Sequence, residues 1–377
     1  MGFELTTEER SVVEDARRTA RDTLAPIAAR GTPGRVNREL VRALGDTGQL
    51  PRLFPKQAGG SSERDVSAME LSLLREGLAQ GSTEAETALA MQGLGGYPLL
   101  QSGGAELVKR WVPGIASGEL VGAFALTEPD HGTDAGAIDL RAEPDGDGWR
   151  LSGVKTWISN APEADLYVLL ARTTAGAGAR GITAFALPGD AAGLTGEPID
   201  LVAPHPIGRL ELDGVRLSAD DVIGDVDAGF KVAMRTLDLF RPSVGAFTVG
   251  MAQTALDLAT EHAGRRTSMG KPLREHQAVS QMLGEMATRT EGARLLVYSA
   301  ASAFDRGERT TKRSAMAKLF ATETAQWVVD AAVQIHGASG LERGHPLEHL
   351  YRDVRAPRIY EGTSEIQREI VARELYR

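Results

Sequence analysis

No cysteine occurs among the 377 residues, which excludes disulfides, thiol nucleophiles, thiolate metal sites and iron–sulfur clusters together. Positive charge is in deficit: 42 Lys and Arg against 51 Asp and Glu leave a net −9. Such a chain has no general positive field for holding nucleic acid or an anionic membrane. No apolar run is long enough to span a bilayer, and no N-terminal stretch joins a basic start to an apolar segment. The expected location is the cytoplasm, without membrane insertion. Aromatics are sparse at 5%, so an aromatic inside a glycine-rich motif is informative. What remains, 42% hydrophobic and 25% charged, is the profile of an ordinary globular protein long enough for two or three cores.

The hydrophobic period changes twice along the chain. Thr6 to Glu9 fits a capping box, followed by Val13, Ala16, Ala20, Leu24 and Ile27 on one helical stripe. Further helical stretches are expected over 38–44, 66–80 and 104–115. From Val121 the period becomes two. Pro144-Asp-Gly-Asp-Gly148 before the alternating Trp149–Val154 is a hairpin signal, and strands are expected over 166–170, 182–187 and 209–217, with Asp213-Gly214 as a turn. After Asp227 the helical period returns. Pro242 suits a first helical turn, ahead of Val244, Met251, Leu256 and Ala259. Val279, Met282, Leu283, Met286, Thr290 and Ala293 form a second stripe, and Met316, Phe320, Trp327, Ala331 and Ile335 a third. A last helix is expected just after Glu361, capped by Thr363 or Ser364. The expected fold is thus a multi-region α+β arrangement: an N-terminal helical domain (1–120), a small central β-barrel or sandwich (121–228) and a C-terminal four-helix bundle (229–377).

Gly176-Ala-Gly-Ala-Arg-Gly181 matches a dinucleotide fingerprint, but residues 182–187 alternate like a strand, where that fingerprint needs a helix N-terminus. It reads as a hairpin loop.

Four other stretches carry chemistry. Phe124-Ala-Leu-Thr-Glu-Pro-Asp-His-Gly-Thr-Asp134 offers the Thr127 and Thr133 hydroxyls beside free backbone N–H groups, able to grip a polar ring edge or an anion. Taken alone, a strand exit with no ligand accounts for it as well. In Gly153-Val-Lys-Thr-Trp-Ile-Ser-Asn160, alternation puts Lys155, Trp157 and Ser159 on one face, a flat apolar surface with a hydroxyl at its edge. A buried core Trp is the plain alternative. Gln334-Ile-His-Gly-Ala-Ser-Gly340 is the third. In the fourth, Arg358-Ile-Tyr-Glu-Gly-Thr-Ser-Glu-Ile-Gln367, Glu361 precedes a helix start, where burial raises its pKa and the helix N-terminus lowers it. A solvent-exposed helix-entry acid is the commoner use of a single Glu.

Together, and in this order, these stretches resemble the acyl-CoA dehydrogenase flavoprotein family over essentially the whole chain. The resemblance implies FAD between the β-domain and the C-terminal bundle. Leu126, Thr127 and Thr133 would contact the flavin's pyrimidine edge and neighbouring atoms, Trp157 would pack on the ring and Ser159 would bond N5. Arg266, Met269 and Gln277, with Gln334, Ile335, Gly337 and Ala338, match segments that reach the FAD of an adjacent subunit, so a dimer or tetramer sharing its FAD sites is implied. Thr363 and Ser364 match pyrophosphate-side positions at a helix N-terminus.

The implied reaction is α,β-dehydrogenation of an acyl-CoA thioester. Glu361 would take the α-proton while a hydride leaves the β-carbon for flavin N5. Thr133, Asp238, Arg241 and Gly362 would meet the substrate, and an electron-transfer flavoprotein would accept the electrons. Some family members carry the base at the position of Phe240, which cannot serve here, so the role falls to Glu361. Three departures stand out: the segment His205–Asp213 is shorter than the family's CoA-contacting loop, Ala338 replaces a usual Gly, and Leu341 a common aromatic. The short segment leaves two same-scaffold alternatives: action on a carrier-protein-bound acyl group, or use of oxygen as an oxidase. A non-catalytic flavoprotein is a third. His345 and His349 are four apart, but Pro346 and the lack of a third ligand argue against a metal site. His131, His205 and His336 lie in loops near the implied site.

Overall fold

Local chemistry decides where the elements begin. In the computed structural model, which describes residues 5–63 and 66–377, Thr6 Oγ1 accepts from the Glu9 N–H and the Glu9 carboxylate accepts from the Thr6 N–H. That capping box opens α1 (Thr7–Thr19), which continues through one π-helical turn into the short α2 (Ala25–Ala28). Asn37 caps α3 (Arg38–Asp46) and Ser67 caps α4 (Ala68–Gly81). Next come α5 (Thr83–Ser102) and α6 (Ala105–Ser117). The 20-residue α5 has no sequence signal as clear as its neighbours', because Gly93, Gly95, Gly96 and Pro98 interrupt its pattern. Packing answers for two of these glycines: a Cβ at Gly95 would lie 2.7 Å from the Gly122 Cα, and one at Gly96 2.6 Å from the Phe54 ring.

The β-region runs β1 (Gly122–Ala125), β2 (Arg141–Asp145), β3 (Gly148–Ser159), β4 (Leu166–Arg172), β5 (Ile182–Pro188), β6 (Leu194–Pro198), β7 (Ile207–Ser218) and β8 (Val222–Ile223). The sheet order is β6-β7-β3-β2-β4-β5-β8, with β1 on β4. Pairing is antiparallel except β1 and β2 on β4. Asp145 pairs with Gly148 across the expected hairpin, and Gly176–Gly181 lies in the connection between antiparallel β4 and β5. Asp213-Gly214 is not a turn. It lies inside β7 opposite a register shift in β3, and Gly214 (φ 64°) absorbs the irregularity as a bulge rather than reversing the chain.

The C-terminal elements are α7 (Gly229–Arg265), the two-residue strands β9 (Thr267–Ser268) and β10 (Lys271–Pro272), α8 (Gln277–Asp305), α9 (Thr311–His336), α10 (Pro346–Asp353) and α11 (Ser364–Glu374). Pro242 does not open a helix but sits inside the 37-residue α7. A proline costs an interior helix about 3 kcal/mol. Burial of Leu239, Phe240, Val244 and Ala246 on either side offsets it, at about 1.5–3 kcal/mol for each large side chain. The α9 stripe also differs from expectation. Met316 and Phe320 are about 40% exposed, while Ser314, Ala317, Ala321, Ala325 and Val328 face inward. Small residues win that face because the helices approach closely: a Cβ on Gly245 of α7 would meet Val297 at 2.7 Å and Ala321 at 3.3 Å.

Contacts divide the chain into two units. One, here the helical unit, holds the residues through Thr23, Ser67–Glu86 and Asp238–Arg377; its core includes Met251, Met286, Val328 and Leu347. The other, here the sheet unit, holds Leu24–Val66 and Thr87–Leu237, with a core of Tyr167, Leu151, Phe185 and Leu210. Among the described residues no helix is long and apolar enough to cross a membrane.

Candidate active site

The expected site residues fall into two groups, one in each unit. In the sheet unit, the half-buried Leu126 and Thr127 follow β1 and are pinned from β3: the Thr156 N–H donates to Thr127 O at 3.0 Å and Lys155 Nζ to Leu126 O at 2.8 Å. Lys155 also donates to Glu128 Oε1 at 2.9 Å, and that carboxylate accepts from the Asp139 and Leu140 N–H groups at 2.6 and 2.9 Å. Lys155 is fully buried, and desolvation pushes its pKa down to about 8 against the opposing pull of Glu128. This latch shapes the loop, and the sequence shows only its lysine, as a neighbour of Trp157. Thr133 stands exposed beyond it.

Lys155, Trp157 and Ser159 do not share one face. The β3–β7 register shifts between Lys155 and Ile158, so Lys155, Thr156 and Ile158 are all buried while Trp157, at φ 57°, is 54% exposed. A bulge has replaced the alternation. A large aromatic presented to solvent from a left-handed backbone is costly in water and suits a flat apolar group laid upon it. Ser159 Oγ lies 2.8 Å from His205 Nε2, and Asn160 Nδ2 donates to Gly122 O at 2.8 Å, holding the end of the strand. His131 lies 3.4 Å from an Asp139 carboxylate oxygen.

In the helical unit, Asp238 and Arg241 pair on α7 at 2.8 Å, and burial raises the Asp238 pKa. Arg266 follows α7. Met269 (φ 49°, 93% exposed) and Gly270 form the tip between β9 and β10, and Gln277 opens α8. Gln334, Gly337 and Ala338 are exposed at the end of α9, with Gly337 at φ 63°, whereas Ile335 packs into the helical core. His336 stacks on His262 at 4.2 Å and meets His345 edge-on at 5.2 Å. His349 pairs with Asp353 at 3.1 Å and lies 2.9 Å from Thr83 Oγ1. Thr363 caps α11, accepting from the Ile366 N–H at 3.4 Å, and Ser364 donates to Glu323 at 2.6 Å. The exposed N-terminus of α8 at Gln277 and the exposed Arg266 suit a phosphate-bearing ligand better than a core.

Glu361, the expected base, stands on a bent backbone. Its backbone is left-handed at φ 52°, followed by Gly362 at φ 92°. The residue is half-buried, but Oε2 is out of reach of solvent and, among the described residues, has no hydrogen-bond partner. Desolvation raises its pKa, opposed by the charges of Arg75, Lys318 and Arg241. Three other groups surround it; Arg75 and Lys318 belong to no stretch singled out in the sequence, and Gln367 ends the stretch that holds Glu361 without being assigned a role there. Arg75 is buried against Glu86 and donates to Ser243 Oγ at 2.7 Å. Lys318 donates to Gly362 O at 2.7 Å. Gln367, fully buried, donates to Glu361 O at 3.1 Å and Gly362 O at 3.0 Å. A usable signal exists for Lys318 alone, a cation on the small-residue face of α9.

Residues 6–119, 123–215 and 227–376 match the N-terminal, middle and C-terminal domains of acyl-CoA dehydrogenase. Cyclohexane-1-carbonyl-CoA dehydrogenase of Geobacter metallireducens is 34% identical, covering 99% of this chain and 98% of that one. The solved structure of butyryl-CoA dehydrogenase from Megasphaera elsdenii superposes with a TM-score of 0.94 at 33% identity, covering all of both chains. An FAD complex of PigA superposes with a TM-score of 0.94 at 28% identity, covering 100% of this chain and 99% of that one. With matches in all three domains and relatives above 30% identity along nearly its full length, this chain belongs to the acyl-CoA dehydrogenase family and is an oxidoreductase that uses FAD.

Proposed function

We propose that the chain dehydrogenates an acyl-CoA thioester between its α and β carbons, with Glu361 as the base. The observation that carries this reading is the Glu361 carboxylate itself: a solvent-shielded oxygen without a partner, on a backbone bent into the left-handed region. A thioester α-proton is too weakly acidic for an ordinary carboxylate in water. Desolvation brings the base closer to its task, and hydrogen-bond donors on the thioester oxygen, the Glu361 backbone N–H among them, lower the barrier on the other side.

Leu126, Thr127, Thr133, Trp157 and Ser159 would hold the flavin ring, and Arg266, Met269, Gln277, Gln334, Ile335, Gly337, Ala338, Thr363 and Ser364 the dinucleotide end. Bound FAD supplies the acceptor for the hydride that leaves the β-carbon. Thr133, Asp238, Arg241 and Gly362 orient the acyl chain. The product is the 2,3-unsaturated thioester, with the α-proton on Glu361. An electron-transfer flavoprotein as acceptor and a homo-oligomer of two or four subunits, sharing FAD sites, complete the proposal.

The test is anaerobic mixing of the FAD-loaded enzyme with a panel of acyl-CoAs, with the product identified. Bleaching of the yellow flavin and recovery of an enoyl-CoA are expected. Flavin that stays oxidised with every acyl-CoA overturns the reading, and peroxide formed in air would favour an oxidase.

A further inference from the structure

We infer that Lys318 is a positioning residue for Glu361: from the buried face of α9 its ammonium holds the backbone immediately after the base and balances the base's negative charge. This rests on the assignment of Glu361 as the base.

The first observation is where the lysine sits. Ser314, Ala317, Ala321, Ala325 and Val328 make the inward face of α9, and Lys318 falls among them with no exposed surface. An ammonium taken out of water costs several kcal/mol unless it is answered. Its contact is a carbonyl, Gly362 O at 2.7 Å, and among the described residues no carboxylate lies in ion-pair contact with it. A hydrogen bond to a carbonyl satisfies one N–H but does not neutralise the charge. The positive charge therefore acts on the carboxylate of the residue next to Gly362, Glu361.

The second observation is the backbone that Lys318 grips. Glu361 and Gly362 are consecutive left-handed residues, and an ordinary side chain in that region is strained. Gln367 donates to both carbonyls, and a Cβ at Gly362 would lie 2.6 Å from its Nε2. Gly362 O thus accepts from Lys318 on one helix and Gln367 on another, a two-sided clamp. Gln367 brings hydrogen bonds alone, and Lys318 brings a hydrogen bond and a charge.

The third observation is electrostatic. The charged groups acting on Glu361 are Arg75, Lys318 and Arg241; Tyr360 beside it is pushed well above its ordinary pKa by burial and stays neutral. Those acting on Lys318 are Glu361 first, then Arg241, Glu323 and Glu365, and desolvation pushes its pKa down to about 8. Arg75 is already committed to Glu86, and Arg241 to Asp238. Lys318 is the cation of the three without a carboxylate in contact.

The experiment separates the two contributions in the FAD-loaded enzyme. Lys318→Gln keeps a donor for Gly362 O and removes the charge; Gln367→Met does the reverse. Two readouts are taken against pH: the rate of flavin bleaching by butyryl-CoA, and the infrared band of the protonated Glu361 carboxyl, assigned by its loss in Glu361→Gln. Lys318→Gln should move both titrations to higher pH by on the order of one unit, and Lys318→Arg should return them toward the parent. Gln367→Met should slow bleaching about tenfold with the titration in place. Parent-like titration in a Lys318→Gln enzyme that still binds FAD overturns the inference. Should that variant lose FAD, the infrared titration of Lys318→Arg decides: the parent midpoint supports the inference and a shift upward overturns it. Glu361→Gln enzyme that still turns over would instead overturn the assignment of the base.

Discussion

Among the described residues each unit buries one lysine, and burial depresses the pKa of both to about 8, but the two are answered differently. In the sheet unit Lys155 meets both a carbonyl and the Glu128 carboxylate, which itself takes two backbone N–H groups; the group is closed and holds a loop. In the helical unit Lys318 meets a carbonyl, while the nearby Glu361 keeps an oxygen without a partner. A closed pair stabilises the fold around it. An open one leaves reactivity available, at some cost to the fold, which is what a base requires. The comparison predicts opposite signatures when either lysine or either carboxylate is removed.

The largest effect is expected from Glu361→Gln. Turnover should fall by roughly 10²–10⁴, the usual weight of a general base. Because burial raises the Glu361 pKa, the folded protein holds its proton above the unfolded value, and stability is lost as pH rises through the folded pKa. A neutral amide removes that loss, so the inactive variant should melt higher than the parent at pH 8, by up to about 1 kcal/mol. A lower melting point would mean that the balance between the Glu361 and Lys318 charges outweighs the cost of burying the carboxylate. Glu128→Gln should do the reverse of this stabilisation, since it strips a buried lysine of its partner.

Next comes Lys155→Met. Removing one member of a buried, hydrogen-bonded ion pair typically costs about 3–5 kcal/mol, and urea unfolding followed by far-UV circular dichroism should show it. The same substitution at Lys318 should cost well under half as much, because no contacting carboxylate is stranded. Equal losses would erase the distinction between closed and open sites. The pH dependence sharpens it further. Between about 8 and the unfolded value of 10.5 the native state holds fewer protons than the unfolded chain, so Lys155 makes stability rise with pH. Comparing parent and Lys155→Met across that window, the parent should gain about 1.4 kcal/mol per pH unit on the variant.

These contrasts mark where a sequence speaks for its structure and where it stops. Cap residues and turn chemistry are local, so the Thr6 box and the Pro144–Gly148 hairpin are legible directly and the last helix's cap is narrowed to Thr363 or Ser364, of which the structure uses Thr363. Period is legible while the buried residues are large. It misleads at Met316 and Phe320, since close helix approach rewards alanine and serine on the inner face, and at Trp157, since a bulge cancels alternation without leaving a mark in composition. At Pro242 the local preference points to a helix start, and tertiary burial overrides it. Glu361 can be picked from its motif. Most of its surroundings cannot, because Arg75 and Lys318 come from helices far from it in sequence, and Gln367, though in the same stretch, shows its role only once α11 is folded.

The smallest expected effect tests whether the open site depends on the helix that carries Gln367. Thr363, one residue after Gly362 and four before Gln367, accepts from the Ile366 N–H at 3.4 Å and so sets where α11 starts. Thr363→Ala should cost about 1 kcal/mol, the usual weight of an N-cap, and fray the first turn. Gln367 lies in the second turn, so its bonds to Glu361 O and Gly362 O should slacken rather than break. No charge near Glu361 changes. Flavin bleaching by an acyl-CoA that reduces the parent should therefore slow by less than tenfold with the pH midpoint unmoved, the signature of lost position without lost charge. A shifted midpoint would mean that α11's N-terminal field, rather than Lys318, holds the proton affinity of the base. The closed site in the sheet unit, which uses no helix end, should show no change in its pH-dependent stability in the same variant.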